Sequence, residues 1–498
     1  MTFLNDLKFF MPEIFLTISL LTLTLFSVTP SHFDKFRIAH KNLSVEGVLL
    51  SILILCITIL LIILQPAASF ILFESQISIN FVGHFSKLVA ITFCIFVLVF
   101  SHSYFKWEAV RAIEIPLLMI AALTGMVLIT EAADFIVFYL ALELQSLSFY
   151  VLAASKRYSN LSIEAGLKYF ILSSMASGFL LFGVSLVYGY TGTTNLFDLN
   201  TLITEIPYLQ VSGLQLGLLF IFMAIAFKLP AAPLHNWAPD VYNGVSTIIT
   251  SFFVLVPKLP MIVFMIYLTY FTLPLFFYYW SYLFIFFGLV SLIIGCFGAL
   301  YQTNIKRFIA YSTINHVGFI LLALSTGTVD GISAAFFYII VYVIMNVGFF
   351  AAMVGVRKMF GIKMMLLEDF FALYRSYPIV SMGMAGILFS MAGIPPLMGF
   401  FSKFYVINAL IKNFEYLEAI IVVLVSVISC VYYIRIVKNM FFSANGSHWG
   451  KVVPMPHEIG FLFSLSVLFN ISFFYFLNIF SIFTANFALT LALLHDLP

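Results

Sequence analysis

The chain has 498 residues, of which 63% are hydrophobic and only 9% are charged. A soluble globular domain carries about 25% charged residues, so this composition excludes one. The formal net charge is +2, and the sequence has no basic arm and no Gly-rich phosphate loop, so nothing in it favours nucleic-acid or nucleotide binding. Its four cysteines lie in apolar runs and form no CxxC pair, which argues against disulfides and against metal or iron–sulfur ligation.

Long apolar segments recur along the whole chain and predict an all-α polytopic membrane protein with fourteen transmembrane helices. The first apolar run, Phe10–Val28, is too long for a signal peptide and is expected to remain as a span. The fourteen predicted spans cover residues 10–30, 47–66, 86–104, 112–131, 133–154, 163–189, 213–229, 245–272, 280–300, 305–326, 330–356, 378–411, 416–438 and 458–484.

The distribution of Lys and Arg between the loops predicts the topology. Sixteen of the 23 Lys and Arg residues follow odd-numbered spans, namely Lys35, Arg37, Lys41, Lys106, Arg111, Lys156, Arg157, Lys306, Arg307, Arg357, Lys358, Lys363, Arg375, Arg435, Lys438 and Lys451. Only Lys8, Lys87 and Lys412 are assigned to the opposite face. The odd loops are therefore predicted to face the cytoplasm or matrix, with both termini on the other side.

The segment 218–240 runs from an apolar helix into Lys228 and is then broken by Pro230 and Pro233. A charge inside a bilayer costs several kcal/mol, and backbone groups freed by proline must face protein or a watery cavity. Because burial makes a lysine release its proton more easily, this segment suits the holding and release of a proton. The alternative is a structural lysine that pairs with a carboxylate near a helix end.

Span 12 has the same pattern, since a break at Gly393–Pro396 is followed by Lys403. The two broken spans lie five spans apart, which predicts two five-helix repeats, spans 4–8 and 9–13, with the second inverted in the membrane. The predicted divisions are an N-terminal three-helix segment over residues 1–111, a first antiporter-like repeat over 112–272, a second repeat over 273–438, and a C-terminal helix and tail over 439–498.

The ionisable groups predicted inside the spans are candidates for proton transfer, and they are Glu143, Lys168, Lys228, Lys258, His316 and Lys403. A Glu143–Lys228 pair would keep a proton on the lysine when formed and favour its release when broken. Structural alternatives stay open for the others. Lys168 can pair with Glu164 at the i,i+4 spacing, His316 can be a core histidine, and Lys258 and Lys403 can snorkel to the interface.

Five segments carry a resemblance to a known family: YLALELQSLSFYVLAASKR (139–157), EAGLKYFILSS (164–174), PLHNWAPDVYNG (233–244), KRFIAYSTINHVGF (306–319) and AGIPPLMGFFSKFY (392–405). They resemble the antiporter-like chain 2 of NADH–ubiquinone oxidoreductase, respiratory complex I, in its plant, algal and protist mitochondrial form. The resemblance runs from about residue 110 to 440, and the fourteen-span layout extends it to the whole chain.

The resemblance implies a membrane-arm subunit of an enzyme, NADH:ubiquinone reductase, that translocates protons and performs no redox chemistry itself. It implies that NADH, FMN, iron–sulfur clusters and ubiquinone are bound by other subunits and that this chain binds no cofactor and no metal. The implied partners are sibling antiporter-like chains, small membrane subunits and lipids such as cardiolipin, with no nucleic acid. The implied location is the mitochondrial inner membrane, with a bacterial inner membrane as the alternative.

The family's proton-carrying positions fall on the six candidates, namely Glu143, Lys168, Lys228, Lys258, His316 and Lys403. In the resulting hypothesis Glu143 modulates Lys228, protons pass through Lys258 and His316 towards Lys403, and Lys403 exchanges them with one aqueous side. Lys168 then takes part in coupling or proton uptake. Two alternatives remain: a subunit of an Mrp-type cation/proton antiporter, and a purely structural membrane-arm subunit.

Overall fold

The computed structural model describes residues 2–31, 43–66, 69–108, 113–156, 158–205, 212–357, 363–442 and 453–493. They form α1 (Thr2–Phe9), α2 (Met11–Ser31), α3 (Leu43–Leu64), the strands β1 (Phe70–Leu72) and β2 (Ile77–Ile79), α4 (Phe81–Glu108), α5 (Glu114–Glu131), α6 (Phe135–Ala153), α7 (Asn160–Thr191), α8 (Leu196–Glu205), α9 (Ser212–Lys228), α10 (Trp237–Gly244), α11 (Thr247–Leu255), α12 (Lys258–Ile266), α13 (Phe277–Leu300), α14 (Ile305–Ser325), α15 (Val329–Gly355), α16 (Leu373–Ser376), α17 (Pro378–Ala392), α18 (Met398–Lys412), α19 (Tyr416–Phe442) and α20 (His457–Leu493).

The all-α polytopic fold predicted from composition is confirmed. Within the described ranges, twelve helical segments are long and apolar enough to cross a membrane. Predicted spans 7 and 12 are missing from that set because each is interrupted, which leaves α9 and α17 as shorter apolar helices. Neither broken span is a continuous helix, so the predicted interruptions are confirmed.

One boundary differs in a way that matters for function. The third span was predicted to begin at residue 86, but α4 begins at Phe81. Gly83, His84 and Ser86 make the first turns of α4 less apolar, so hydropathy alone places the start of this span too late. Lys87, assigned from sequence to an aqueous face, is in fact a buried residue within α4, so that assignment was wrong.

The chain forms two compact units. The first comprises Met1–Lys228 and Gly244–Leu275, and the second comprises Leu229–Asn243 and Phe276–Pro498. The chain therefore passes between the units at the break after Lys228. The predicted repeat boundaries and the inverted orientation of the second repeat stay predictions.

The predicted topology also stays a prediction. Seven of the basic loop residues on which it depends lie outside the described part of the chain, and they are Lys35, Arg37, Lys41, Arg111, Arg157, Lys358 and Lys451.

Small residues allow the helices of the first unit to approach closely. A Cβ atom added at Gly183 of α7 would lie 2.7 Å from the carbonyl oxygen of Gly217 on α9. Such backbone-to-backbone contact is typical of helix pairs in membranes, where packing rather than the hydrophobic effect holds helices together. The pairing places α7 beside the helix that ends at Lys228.

The second unit is organised around α14 and α15. In each of these two helices, 94% of the residues in the stretch that is apolar enough to cross a membrane are buried. A Cβ atom at Gly295 of α13 would lie 2.5 Å from the backbone nitrogen of Asn315, so α13 packs directly against α14. His316, the next residue on α14, is buried in the interior of this unit.

Candidate functional site

The break in the seventh span begins where α9 ends at Lys228. Pro230 lacks a backbone N–H, and a residue that precedes a proline is disfavoured in helical geometry, so the helix cannot continue. A run of turns follows until α10 begins at Trp237. Within the second unit, the Ser291 hydroxyl accepts a hydrogen bond from the Ala232 backbone N–H at 2.8 Å, which satisfies one of the backbone groups in the break.

The Lys228 ammonium is bonded to a hydroxyl group. Its Nζ donates to Ser173 Oγ at 2.6 Å, and Ser173 is a fully buried residue of α7. Glu143, on α6, accepts a hydrogen bond from Ser146 Oγ at 3.2 Å through its Oε2 atom and is close enough to act on Lys228 electrostatically. In this structure Lys228 donates to a neutral oxygen, and its predicted pairing with Glu143 stays a prediction.

Lys258 is the first residue of α12 and is only 2% exposed. Pro257 precedes it and separates α12 from α11, so span 8 is also interrupted near its buried lysine. A snorkelling lysine exposes its ammonium to water, and the burial of Lys258 is incompatible with that alternative.

Lys168 differs from the other candidate lysines because its side chain is 42% exposed. Its Nζ lies 2.7 Å from Glu164 Oε1, one helical turn earlier on α7. The i,i+4 pair expected as the structural alternative therefore forms. The predicted part of Lys168 in coupling or proton uptake stays a prediction.

The break in the twelfth span separates α17 from α18. α17 ends at Ala392, Gly393 adopts a left-handed conformation with φ of 89°, and α18 begins at Met398. Lys403 on α18 is 6% exposed, and its Nζ donates to the Ala392 carbonyl oxygen at 2.8 Å. The last carbonyl groups of a helix carry partial negative charge, so the end of α17 provides a neutral but polar partner for the ammonium.

Gly393 leaves room for the Lys403 side chain. An added Cβ atom would lie 3.0 Å from Lys403 Cδ and 3.1 Å from its Nζ. We expect Gly393→Ala to cost roughly 1–2 kcal/mol through its left-handed backbone and to displace the ammonium, so that proton translocation decreases. Thermal unfolding and proton pumping of the assembled complex measure these effects. Gly460→Ala on α20, where nothing lies within 4 Å of the added atom, should leave proton translocation unchanged and should not lower the unfolding temperature.

His316 lies between two tyrosines of the second unit. Its Nδ1 atom is 2.8 Å from the Tyr338 hydroxyl, and its Nε2 atom is 3.1 Å from the Tyr433 hydroxyl. Next to it, Asn315 Nδ2 donates to the Tyr432 hydroxyl at 3.3 Å. Because both ring nitrogens are bonded to hydroxyl groups, the imidazole can accept a proton on one side and release one on the other. His316 is buried, as the core-histidine alternative also expects, so its role in the relay stays a prediction.

Sequence-based reasoning did not predict one buried cluster of ionisable residues. Lys87 on α4 forms ion pairs with Glu13 on α2, at 2.7 Å, and with Glu131 at the end of α5. Both acids lie close to helix ends, where a carboxylate in a membrane protein is ordinary. The detectable signal was a lysine followed at once by a long apolar run, which is also what the start of a span looks like.

The sequence matches the family model described as "NADH:quinone oxidoreductase/Mrp antiporter, TM" over residues 132–429. It is 39% identical over 498 residues to NADH-ubiquinone oxidoreductase chain 2 of Marchantia polymorpha, with 99% of this chain and 100% of the relative covered. It is also 39% identical over 440 residues to NADH-quinone oxidoreductase subunit N of Pelagibacter ubique, with 88% of this chain and 90% of that protein covered.

The chain belongs to the chain 2 (subunit N) family of NADH–quinone oxidoreductase.

The fold agrees with that membership. A chain of respiratory complex I from Thermus thermophilus superposes with a TM-score of 0.73 at 24% sequence identity, covering 92% of this chain and 95% of the other. At that identity the superposition shows a shared fold. The family match covers α6 to α18 together with part of α19, and so it includes all six candidate proton-transfer residues.

Proposed function

We propose that this chain translocates protons as a membrane-arm subunit of complex I, coupled to NADH oxidation and quinone reduction in other subunits. The observation that carries the proposal is shared by the two units. In each, a lysine beside a broken helix donates to a neutral oxygen: the half-buried Lys228 to Ser173 Oγ, and the buried Lys403 to the Ala392 carbonyl. A lysine held by a neutral acceptor can exchange its proton without separating from a bound anion.

In the first unit, Lys228 is the central proton carrier. Ser173 orients its ammonium, while the Glu143 carboxylate acts on it from α6. Movement of Glu143 towards Lys228 stabilises the charged lysine, and movement away favours the neutral amine. Lys258, buried on α12, is the second carrier proposed for this unit.

In the second unit, His316 and Lys403 are the proposed carriers. The two tyrosine hydroxyls on His316 provide a donor and acceptor path through the imidazole. The Lys403 ammonium also lies 5.6 Å from the centroid of the Phe319 ring, so its surroundings disfavour water on that side. Lys403 is the residue proposed to exchange protons with one aqueous phase.

The remaining features of the proposal follow from the family. NADH, FMN, iron–sulfur clusters and ubiquinone are assigned to other subunits, with no cofactor in this chain. The mitochondrial inner membrane is its proposed location, with both termini on the intermembrane-space side, and membrane lipids such as cardiolipin are proposed as contacts. The relative from Marchantia polymorpha, named as a ubiquinone-type chain 2, supports the mitochondrial assignment.

Replacement of His316 by glutamine tests the proposed relay. Glutamine can still bond to Tyr338 and Tyr433 but cannot take up a proton in the physiological range. We expect proton transfer through this chain to slow by about tenfold, which corresponds to the loss of roughly 1.4 kcal/mol of barrier lowering. The measurement is the number of protons pumped per NADH oxidised in sealed vesicles that contain the complex.

His457→Gln, at an exposed position at the start of α20, is the matched control. It removes a histidine outside the proposed path and should leave the ratio of protons to NADH unchanged. A purely structural role for His316 predicts that pumping and NADH oxidation fall together, with the ratio preserved, and that result would contradict the relay.

A further inference from the structure

Three ionisable side chains that the proposed relay does not use meet inside the first unit. Glu13 comes from α2, Lys87 from α4 and Glu131 from α5. Lys87 Nζ lies 2.7 Å from Glu13 Oε1 and also contacts Glu131 Oε1. The side chains of Lys87 and Glu131 have no exposed surface, and that of Glu13 is 3% exposed. We call these three residues the acid–lysine cluster.

The acid–lysine cluster has an imbalance of charge. One ammonium faces two carboxylates, so full ionisation leaves a formal charge of −1 in the protein interior. Burial of an uncompensated charge costs several kcal/mol even when an ion pair lies beside it. A second cation or a proton would remove this cost.

The hydrogen bonding points to a proton. Both Oε1 atoms contact the same Lys87 Nζ, so the two carboxyl groups lie side by side, although carboxylates possess no donor. Glu13 Oε2 and Glu131 Oε2 are both buried and have no hydrogen-bond partner among the described residues. Two carboxylates held this close cannot both stay ionised at low cost, and a shared proton provides the missing donor.

We propose that the acid–lysine cluster is a proton-binding site that holds one proton between Glu13 and Glu131, in addition to the proton on Lys87. Uptake of that proton changes the formal charge of the cluster from −1 to zero, and no other bond is made or broken. The site goes beyond the proposed relay, because none of the relay residues belongs to it.

The surroundings of the cluster contain few other charges. His84, one turn before Lys87 on α4, is close enough to interact with it electrostatically. α3 packs against the helices of the cluster and has Glu46 in its first turn. α5 has a second acid, Glu114, in its first turn, at the opposite end of the helix from Glu131. α12 begins with Lys258, and α11 has no titratable residue. α6, which packs against α5, has Glu143, and α1, which packs against α2, has Asp6 and Lys8. The acids that act on Lys87 are Glu13 and Glu131.

A small cavity of about 60 Å³ reaches the cluster at Glu13. Thr17 and Thr124 also line it, and Thr17 is exposed on the outer face of α2. The rest of its wall is apolar and is formed by Phe10, Leu16, Val127 and Leu128. Glu13 is therefore the member of the cluster that lies beside a cavity.

Infrared spectroscopy of the assembled complex tests the site directly. A protonated carboxyl group absorbs separately from a carboxylate, and its band shifts when hydrogen is replaced by deuterium. In complex labelled with carboxyl-¹³C glutamate, we expect a protonated-carboxyl band at neutral pH that disappears as the pH is raised. Absence of any band that Glu13 or Glu131 contributes would overturn the proposal in favour of a permanently charged structural cluster.

Two substitutions assign the band. In Glu13→Gln or Glu131→Gln, the remaining carboxylate pairs with Lys87 and needs no further proton, so either change alone should remove the band completely. Glu46→Gln, at an exposed position on α3, should leave it in place. Persistence of the full band in both single variants would show that the proton lies elsewhere. The pH titration of the labelled wild-type complex remains decisive if a variant fails to assemble.

Discussion

Replacement of Lys228 by methionine should nearly abolish proton transfer through this chain while the complex still assembles. Methionine fills a similar volume but offers no site for the proton beside Ser173. A charge that crosses a membrane interior without a carrier meets a barrier of at least about 3 kcal/mol, so transfer should slow by roughly two orders of magnitude. The measurement is the ratio of pumped protons to oxidised NADH in sealed vesicles.

Lys228→Arg separates proton transfer from charge. Arginine keeps the positive charge and can bond to Ser173, but it does not release its proton in the physiological range. A carrier role predicts that arginine fails as completely as methionine. Rescue by arginine would show that Lys228 is needed only as a cation. Lys412→Met, at an exposed position on α18, is the matched control and should keep the normal ratio.

Gly399→Ala should prevent the broken twelfth span from folding correctly. A Cβ atom at Gly399 would lie 1.9 Å from the carbonyl oxygen of Ser390, an overlap between two backbones that no rotamer change can relieve. The same contact includes a hydrogen bond from the Gly399 N–H to Ser390 Oγ at 3.0 Å. Overpacking of this kind costs about 3 kcal/mol or more, so little correctly assembled subunit should accumulate.

Gly386→Ala is the control for the same span. Gly386 is a residue of α17, and nothing lies within 4 Å of its added Cβ atom. Alanine favours a helix over glycine by up to about 1 kcal/mol, so this variant should be as stable as the wild type or more so. For both variants, the measurements are the abundance of the subunit in purified membranes and the thermal unfolding temperature of the complex. Normal abundance of the Gly399→Ala protein would contradict the packing of α17 against α18.

The fold and the breaks were predictable because they depend on local physics. About twenty apolar residues are needed to cross a bilayer, and proline interrupts a helix wherever it occurs in its interior. The same reasoning identified Lys228, Lys258 and Lys403, since a charge within an apolar run has few explanations in a membrane. The helix ends were predicted less well, as the displaced start of α4 shows.

The partners of the candidate residues were not predictable. Ser173 is separated from Lys228 by 55 positions, and Tyr433 from His316 by 117, so each contact depends on how helices pack. The acid–lysine cluster was missed for the same reason. Its members lie 74 and 44 positions apart, and each resembles an ordinary residue near the end of a span.

The sequence by itself determined the class of protein, the two broken helices and the lysines beside them, because hydropathy and proline act within a few residues. Only the tertiary structure decided what each charge faces. It placed Lys228 and Lys403 on neutral oxygens, left Lys168 exposed in an ion pair, and joined Lys87 to two acids. The physical reason is that the behaviour of a buried charge depends on the groups around it, and packing brings those groups from distant parts of the chain.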